Sequence, residues 1–187
     1  MRLKALLLAG LLLVTGAAYA DVYKTYSLAW SGASFGNNAT ATGLMTLDLT
    51  TLPNPSGFET NIYNDITSLT VTVSGASSGN GTFTKADLPT LVHWWTAGVK
   101  LNLLKELVGQ PTTGNPWGTP DSISGDFNFF FSPPGPVGTN FFTMTTNFEA
   151  GDQILLTSFS PVEPGSVLLF GTGIAGLAGV LRRRLRR

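Results

Sequence analysis

Large apolar side chains at every second position run through the middle of this chain and constrain its fold more than any other feature. Residues 23–30, 43–51 and 66–74 each show this spacing, with threonine or serine at many of the intervening positions. Because successive side chains of a strand point to opposite faces, each segment is predicted to be a half-buried β-strand. Further strands are predicted at 82–84, 127–131, 141–146 and 153–159. Glycine, proline and asparagine separate them, so the expected fold is all-β, an antiparallel β-sandwich or jelly roll.

The stretch from residue 79 to residue 126 is less regular. Gly79-Asn-Gly predicts a tight turn, and Asp87 followed by Pro89 predicts one helical turn. Alternation over residues 99–104 then predicts another strand. Residues 109–126 are rich in proline, glycine and threonine, so we expect a long ordered loop pinned by a tryptophan within it.

Composition excludes several classes of protein. The chain has 187 residues and no cysteine, so disulfides and thiolate metal sites are ruled out. Its net charge of zero hides an acidic middle, because residues 21–163 hold four lysines and all eleven acidic residues, a net charge of −7. An acidic body has no basic surface with which to neutralise phosphates, so we expect no nucleic-acid partner.

The first twenty residues have the pattern of a signal peptide. Residues 1–4 include two positive charges, residues 5–14 are apolar, and Ala18 and Ala20 form a small-x-small cleavage site. Cleavage by signal peptidase would leave Asp21 as the first residue of a protein exported across the inner membrane. The alternative is an uncleaved N-terminal helix that anchors the chain.

The C-terminus combines an uncharged segment with a basic end. Residues 166–181 carry no charge, and as a helix they would be about 24 Å long against a hydrocarbon core of about 30 Å, a marginal span. The last six residues, 182–187, include five arginines, which the positive-inside rule keeps in the cytoplasm. These arginines are Arg182, Arg183, Arg184, Arg186 and Arg187.

This tail, with Pro161, Val162, Glu163 and Pro164 before its apolar segment, resembles the PEP-CTERM sorting signal. The family motif usually reads Val-Pro-Glu-Pro, so the first two positions are exchanged here. The resemblance implies a protein of a Gram-negative bacterium, held transiently in the inner membrane, cut by an exosortase-type enzyme, and then placed at the cell surface or outside the cell. The alternative is an ordinary single-pass tail anchor.

The resulting organisation is a signal peptide over residues 1–20, a body over 21–160 and a sorting signal over 161–187. The body also resembles the all-β bodies of uncharacterised PEP-CTERM proteins, as in the stretches 30–43 and 79–84. The resemblance implies a non-enzymatic protein of the surface or the biofilm matrix, with an exopolysaccharide as a candidate partner.

Few residues offer chemistry. Ser34 lies in a Gly-x-Ser-x-Gly pattern, but the turn and strand predicted after it do not fit a nucleophile elbow. His93 is the one histidine, so a multi-histidine metal centre is excluded, and beside Trp94 and Trp95 we expect it to be a structural or rim residue and not a metal ligand. We expect no catalytic residues. Asp121 and Asp126 lie five residues apart in a glycine-containing loop and are at most a weak Ca²⁺ site, with solvated loop carboxylates as the alternative. We therefore expect no cofactor.

Three tryptophans are the best candidates for ligand binding. Trp94, Trp95 and Trp117 could stack on sugar rings if their faces are exposed, which would make the body a carbohydrate-binding module. The alternative is that some of them belong to the core, where tryptophan is usually found. A hydrolase is the third hypothesis, and it would need two carboxyl groups facing each other across a cleft.

Overall fold

The computed structural model describes residues 23–148 and 150–162. In this part of the chain the fold is all-β, and no helix reaches seven residues. The strands are β1 Tyr23–Ser31, β2 Thr40–Asp48, β3 Thr60–Asn61, β4 Ile66–Ser74, β5 Gly81–Thr84, β6 Val92–Trp95, β7 Asp126–Phe129, β8 Val137–Asn140, β9 Thr143–Thr145 and β10 Gln153–Pro161. Three single-turn 3₁₀ helices span Ala33–Phe35, Tyr63–Asp65 and Lys85–Asp87.

Most residues of the predicted sorting signals lie outside the described residues. This holds for Ala18, Ala20 and Asp21 at the signal cleavage site, for Glu163 and Pro164 of the motif, and for both predicted terminal helices with the arginine cluster. Within residues 23–148 and 150–162, no helix is long and apolar enough to cross a membrane.

All strand pairs are antiparallel and fall into two sheets. The large sheet has the order β5-β4-β2-β1-β10-β9-β8, and the small sheet has the order β3-β6-β7. A single bridge between Phe130 and Val137 joins the end of β7 to β8, so the sheets form one curled half-barrel. The prediction of an antiparallel all-β fold is confirmed.

Alternation places the core on one face of the large sheet. In β1, Tyr26, Leu28 and Trp30 are buried while the residues between them are more exposed. In β4, which has the predicted bounds, Leu69 and Val71 are buried in the same way. The period-two pattern therefore predicted both the strands and the faces that they bury.

The segment between residues 87 and 108 differs from the prediction. The strand of this region is β6, and residues 99–104 form no strand: 99–102 are irregular and 103–104 lie in a turn. The N–H of Leu101 donates to the Asn54 side-chain oxygen at 2.9 Å, and the Asn54 amide donates to the Leu101 carbonyl at 2.8 Å. The Asn54 side chain thus forms the hydrogen bonds to the N–H and C=O of Leu101 that a neighbouring strand would otherwise form. Asp87 ends a 3₁₀ turn and forms a capping box with Thr84, where an N-cap was predicted.

An aromatic cluster fills the space between the two sheets. Trp117, from the long loop between β6 and β7, is fully buried, and its ring centroid lies 5.5 Å from Trp94 and 4.9 Å from Phe142. Phe127 of the small sheet and Phe159 of the large sheet complete the cluster, 4.8 Å apart. The predicted loop pinned by a tryptophan is present, and its anchor lies in the core.

Glu106 ties the same long loop to β10. Its carboxylate accepts hydrogen bonds from the hydroxyls of Ser158, at 2.6 Å, and of Ser160. It also accepts from the backbone N–H groups of Phe159, at 2.6 Å, and of Val108, at 3.0 Å. Burial raises the pKa of Glu106, but these hydrogen bonds together outweigh it and the pKa is lowered.

The two ends of the described body lie side by side. In the antiparallel pair of β1 and β10, Tyr26 is opposite Pro161, and the N–H of Val162 donates to the Thr25 carbonyl at 2.8 Å. The chain therefore enters the sheet and leaves it at the same pole. The body's last strand also includes Pro161, the first residue of the predicted sorting motif.

Replacing Trp117 tests the role of the aromatic cluster. Truncation of a fully buried tryptophan leaves a cavity, so Trp117→Ala should lower the free energy of unfolding by about 3–5 kcal/mol. Urea unfolding of the purified full chain, followed by near-ultraviolet circular dichroism, measures this change. Leu104→Ala is the control, because Leu104 is 68% exposed and its loss should change the free energy by no more than about 0.5 kcal/mol. Equal effects of the two changes would contradict the assignment of Trp117 as the anchor.

Candidate functional site

Two neighbouring strands of the small sheet present polar side chains on the face opposite the core. In β6, Val92 and Trp94 point into the core, so His93 and Trp95 lie on the outer face. In β7, Asp126 and Asn128 lie on that face as well. The register places His93 opposite Asn128 and Trp95 opposite Asp126. Strand alternation and pairing thus bring these four side chains together.

Glu59, which lies just before a third strand, joins the group. Glu59 directly precedes β3, in which Asn61 is opposite His93. The Nδ1 atom of His93 lies 3.2 Å from Oε1 of Glu59 and 3.4 Å from Oδ2 of Asp126. The imidazole is therefore placed between two carboxylates that are 67 residues apart in sequence.

The turn between β8 and β9 folds over this face and buries part of it. Asp126 is 2% exposed and Asn128 is 4% exposed, although both lie on the side away from the core. Gly138 makes the close approach possible, because a Cβ there would lie 2.6 Å from the Cβ of Asn128. The result is an open cleft of about 280 Å³, which we call the His93 cleft. Its lining residues are Glu59, His93, Asp126, Asn128, Phe130, Gly138, Thr139, Asn140 and Phe141.

Hydrogen bonds orient the buried carboxylate. Oδ1 of Asp126 accepts from the Asn128 amide at 2.8 Å and from the backbone N–H of Phe142 at 3.2 Å. Oδ2 is the oxygen that faces His93. The Asn128 amide also donates to the Asn140 carbonyl at 2.8 Å, so both of its hydrogens are used. Its oxygen, Oδ1, is buried and has no hydrogen-bond partner within the described part of the chain.

The surroundings of His93 favour its charged form. A hydrogen bond to Asp126 raises the pKa of His93, burial lowers it, and the negative charges of Glu59 and Asp126 raise it further, so the net shift is upward. The ring of Phe130 packs against the imidazole at a centroid distance of 4.7 Å. His93 is therefore a half-buried imidazole whose protonated, positively charged form is favoured by the carboxylates beside it.

The cleft combines polar groups with aromatic surface. Trp95 is half-buried, its ring lies 6.4 Å from that of Phe141, and its indole N–H has no acceptor among residues 23–148 and 150–162. Carboxylates, amides and an imidazole beside aromatic rings can hydrogen-bond and pack a small polar ligand. Glu59, His93 and Asp126 can also each offer one metal-ligating atom, and these atoms lie within 4.8 Å of one another.

Two of the three tryptophans predicted to bind sugar are buried. Trp94 and Trp117 are 0% exposed, so the prediction that they present faces for stacking is wrong for both. Their indole N–H groups donate inside the protein, from Trp94 to the Pro53 carbonyl at 2.8 Å and from Trp117 to the Trp95 carbonyl at 2.9 Å. Of the three, β6 turns only Trp95 outward, and its ring packs against Phe141, which lines the cleft.

The two aspartates considered for Ca²⁺ have different surroundings. Asp121 accepts four hydrogen bonds inside its own loop, from Asn115, from the N–H of Ile123, and from both the N–H and the hydroxyl of Ser124. Asp126 instead belongs to the His93 cleft. Ser34 lies in an exposed 3₁₀ turn between β1 and β2, as expected for a hairpin and unlike a nucleophile elbow.

Glu59 was not recognised as a candidate from the sequence, and the grouping of Asp126 with His93 was also missed. The alternation of His93 with Trp94, and of Asp126 with Phe127, could have placed both polar residues on outer faces. Their proximity depends on β6 pairing with β7 across a loop of about thirty residues, which no local pattern reveals. Comparisons with protein-family models, with curated proteins and with solved structures give no match to this chain.

The single histidine makes the electrostatics of the cleft directly measurable. The pKa of His93 should lie above the ordinary value of about 6.5, and Asp126→Asn should lower it more than Glu59→Gln does, since Asp126 contributes the hydrogen bond. Because the folded-state pKa is raised, the stability from this group should be fully present below pH about 6.5 and lost as the pH rises through the folded value. Proton NMR titration of the one imidazole measures each pKa.

Asp48→Asn provides the control for that titration. It removes one negative charge from β2, outside the cleft, and should leave the pKa of His93 unchanged. A wild-type pKa at or below about 6.5, or a pKa that Asp126→Asn does not lower, would show that the two carboxylates do not act on His93 as described.

Proposed function

We propose that this chain is an exported, non-enzymatic protein of the bacterial surface or extracellular matrix, sorted by an exosortase-type enzyme. The observation that carries the proposal is the agreement between the two ends of the sequence. A cleavable signal pattern over residues 1–20 delivers the body across the inner membrane, and the arginines of 182–187 hold the tail end in the cytoplasm. The motif Pro161-Val162-Glu163-Pro164, which resembles the PEP-CTERM signal, lies between the body and the apolar segment.

The arrangement of the body is compatible with this topology. The chain enters and leaves the large sheet at one pole, so a tail that follows Val162 would hold the body by that pole. The His93 cleft lies elsewhere. Phe142, which donates to Asp126, accepts a hydrogen bond from Leu156, and six residues of extended chain, about 20 Å, separate Leu156 from Val162.

The mature termini test this proposal. Intact-mass and peptide mass spectrometry of the protein from its own cells should find a first residue at Asp21 and a C-terminus near Glu163, with the apolar segment removed. Replacing Glu163 and Pro164 by alanine should leave the tail attached and the protein in the membrane fraction. An intact Arg187 on the wild-type protein in that fraction would contradict sorting by cleavage and favour a permanent tail anchor.

A second candidate function is carbohydrate binding, and the His93 cleft favours it. Sugar rings combine apolar faces with hydroxyl groups, and this cleft places aromatic rings beside carboxylates and amides. Its volume of about 280 Å³ lies just below the range typical of small-molecule sites, which favours one sugar residue or a chain end. Phe130 and Phe141 provide the aromatic rings of the cleft, and Trp95 packs against Phe141 from outside the lining.

The charge of the cleft narrows the class of sugar. Glu59 and Asp126 face into it, while all four lysines of the described residues are absent from its lining. Carboxylates repel sulfated or uronic sugars and accept hydrogen bonds from hydroxyl or amino groups. The proposed ligand is therefore a neutral or amino sugar at the end of an exopolysaccharide.

Glycan-array binding followed by titration calorimetry tests the second function. The full chain should bind neutral or amino sugars, and Phe141→Ala should weaken binding at least about tenfold, since an aromatic ring that lines the cleft and packs against a sugar contributes about 1.4 kcal/mol or more. Asn140→Ala, an exposed change in the cleft, should weaken binding without affecting the core. Phe58→Ala is the control, because Phe58 is 76% exposed and lies outside the cleft lining. No binding across the array, or loss only in Phe58→Ala, would refute this function.

A further inference from the structure

Two of the three distances between ionisable groups in the His93 cleft match a metal site, and the third, between the Glu59 and Asp126 oxygens, is within 4.8 Å. Zn²⁺ binds nitrogen and carboxylate oxygen at about 2.0–2.2 Å, and two ligands of a tetrahedral ion then lie about 3.3–3.5 Å apart. Nδ1 of His93 is 3.2 Å from the Glu59 oxygen and 3.4 Å from the Asp126 oxygen. Both distances fall close to this ligand-to-ligand separation.

The hydrogen bond between His93 and Asp126 does not by itself account for both distances. A charge-assisted bond between an imidazole N–H and a carboxylate is typically about 2.7–2.9 Å long, and here both contacts are longer. The single proton on Nδ1 also cannot form two well-aligned hydrogen bonds at once, one to Glu59 and one to Asp126. The imidazole nitrogen thus lies at nearly equal distances from two oxygens, as a nitrogen ligand does from two oxygen ligands of the same ion.

Hydrogen bonds from neighbouring groups hold the Asp126 carboxylate in place, as they commonly hold metal-ligating carboxylates. Oδ1 is held by the Asn128 amide and the Phe142 N–H, which leaves Oδ2 directed at His93. Asn128 lines the same cleft, is 4% exposed, and has a buried Oδ1 without a partner among the described residues. A buried amide oxygen without a donor is costly, and a cation or its bound water would satisfy it.

We propose that Glu59, His93 and Asp126 form a binding site for one divalent transition-metal ion of the Zn²⁺ class. Two carboxylates balance the charge of the ion, so the bound site is neutral where Asp126 is desolvated. The imidazole nitrogen favours such an ion over Ca²⁺ or Mg²⁺, which prefer all-oxygen ligands. Three protein ligands leave a fourth position open to the cleft. This assignment replaces the expectation that His93 is not a metal ligand. It does not rest on the functions proposed above, but it shares the carboxylates of Glu59 and Asp126 with the carbohydrate proposal, so it is tested with Zn²⁺ in the absence of sugar.

The test is titration calorimetry of the full chain, purified in detergent without a histidine tag, with Zn²⁺ as the only ligand. We expect saturable binding of one Zn²⁺ per chain. Glu59→Gln and His93→Gln should each weaken that binding about tenfold or more, because each removes a ligand. Asp48→Asn removes the same charge as Glu59→Gln from another strand and should leave the affinity unchanged.

A measurement on the wild-type chain keeps the test valid if a variant does not fold. The NMR signals of the one imidazole should shift on addition of Zn²⁺, and the same concentration of Ca²⁺ or Mg²⁺ should not reproduce the shift. Saturable binding with these shifts would support the site. Absence of saturable Zn²⁺ binding, an unmoved imidazole signal, or equal affinity in Glu59→Gln, His93→Gln and wild type would overturn it.

Discussion

The packing of Trp117 against aromatic rings of both sheets is the interaction on which the rest of this structure depends. The indole comes from a long loop that is rich in proline and glycine, yet it contacts Trp94 and Phe127 of the small sheet and Phe159 of the large one. Large rings bury much apolar area each, and a chain without cysteine has no disulfide to hold a loop of this length. Core packing and the hydrogen bonds of Glu106 hold the loop instead.

The His93 cleft is built directly on that cluster. The indole N–H of Trp117 donates to the carbonyl of Trp95, and Gly125 lies so close to Trp117 that a Cβ there would approach the ring to 2.6 Å. Asp126 follows at once, so its backbone position is set by contact with the core. Packing against the aromatic cluster thus turns the buried aromatic residues of β6 and β7 toward the core and the polar residues of these strands outward. The turn between β8 and β9 then covers these polar residues and removes them from solvent. Ligand affinity in such a cleft depends on groups that the core holds in place.

Much of the fold could be predicted because its longest strands are half-buried. β1, β4 and β10 show clear alternation, and each was placed within two residues of its observed ends. The short strands were harder. β3 has two residues and β8 has four with little apolar character, so neither has a periodic signal of its own. Residues 99–104 do alternate, but hydrogen bonds from the Asn54 side chain, 47 positions from Leu101, replaced strand pairing there.

The sequence by itself determined the class of fold, the acidic character of the body and the patterns at its two ends, since these depend on local spacing and composition. Tertiary structure decided which polar residues meet. His93 and Asp126 lie in β6 and β7 and Glu59 directly precedes β3, and no spacing along the chain records that these three strands are neighbours. It also decided that Trp94 and Trp117 are core while Trp95 faces outward against Phe141, a residue of the cleft lining. Alternation shows that neighbouring residues face opposite ways, but only the packing of the second sheet and its long loop shows which face is covered.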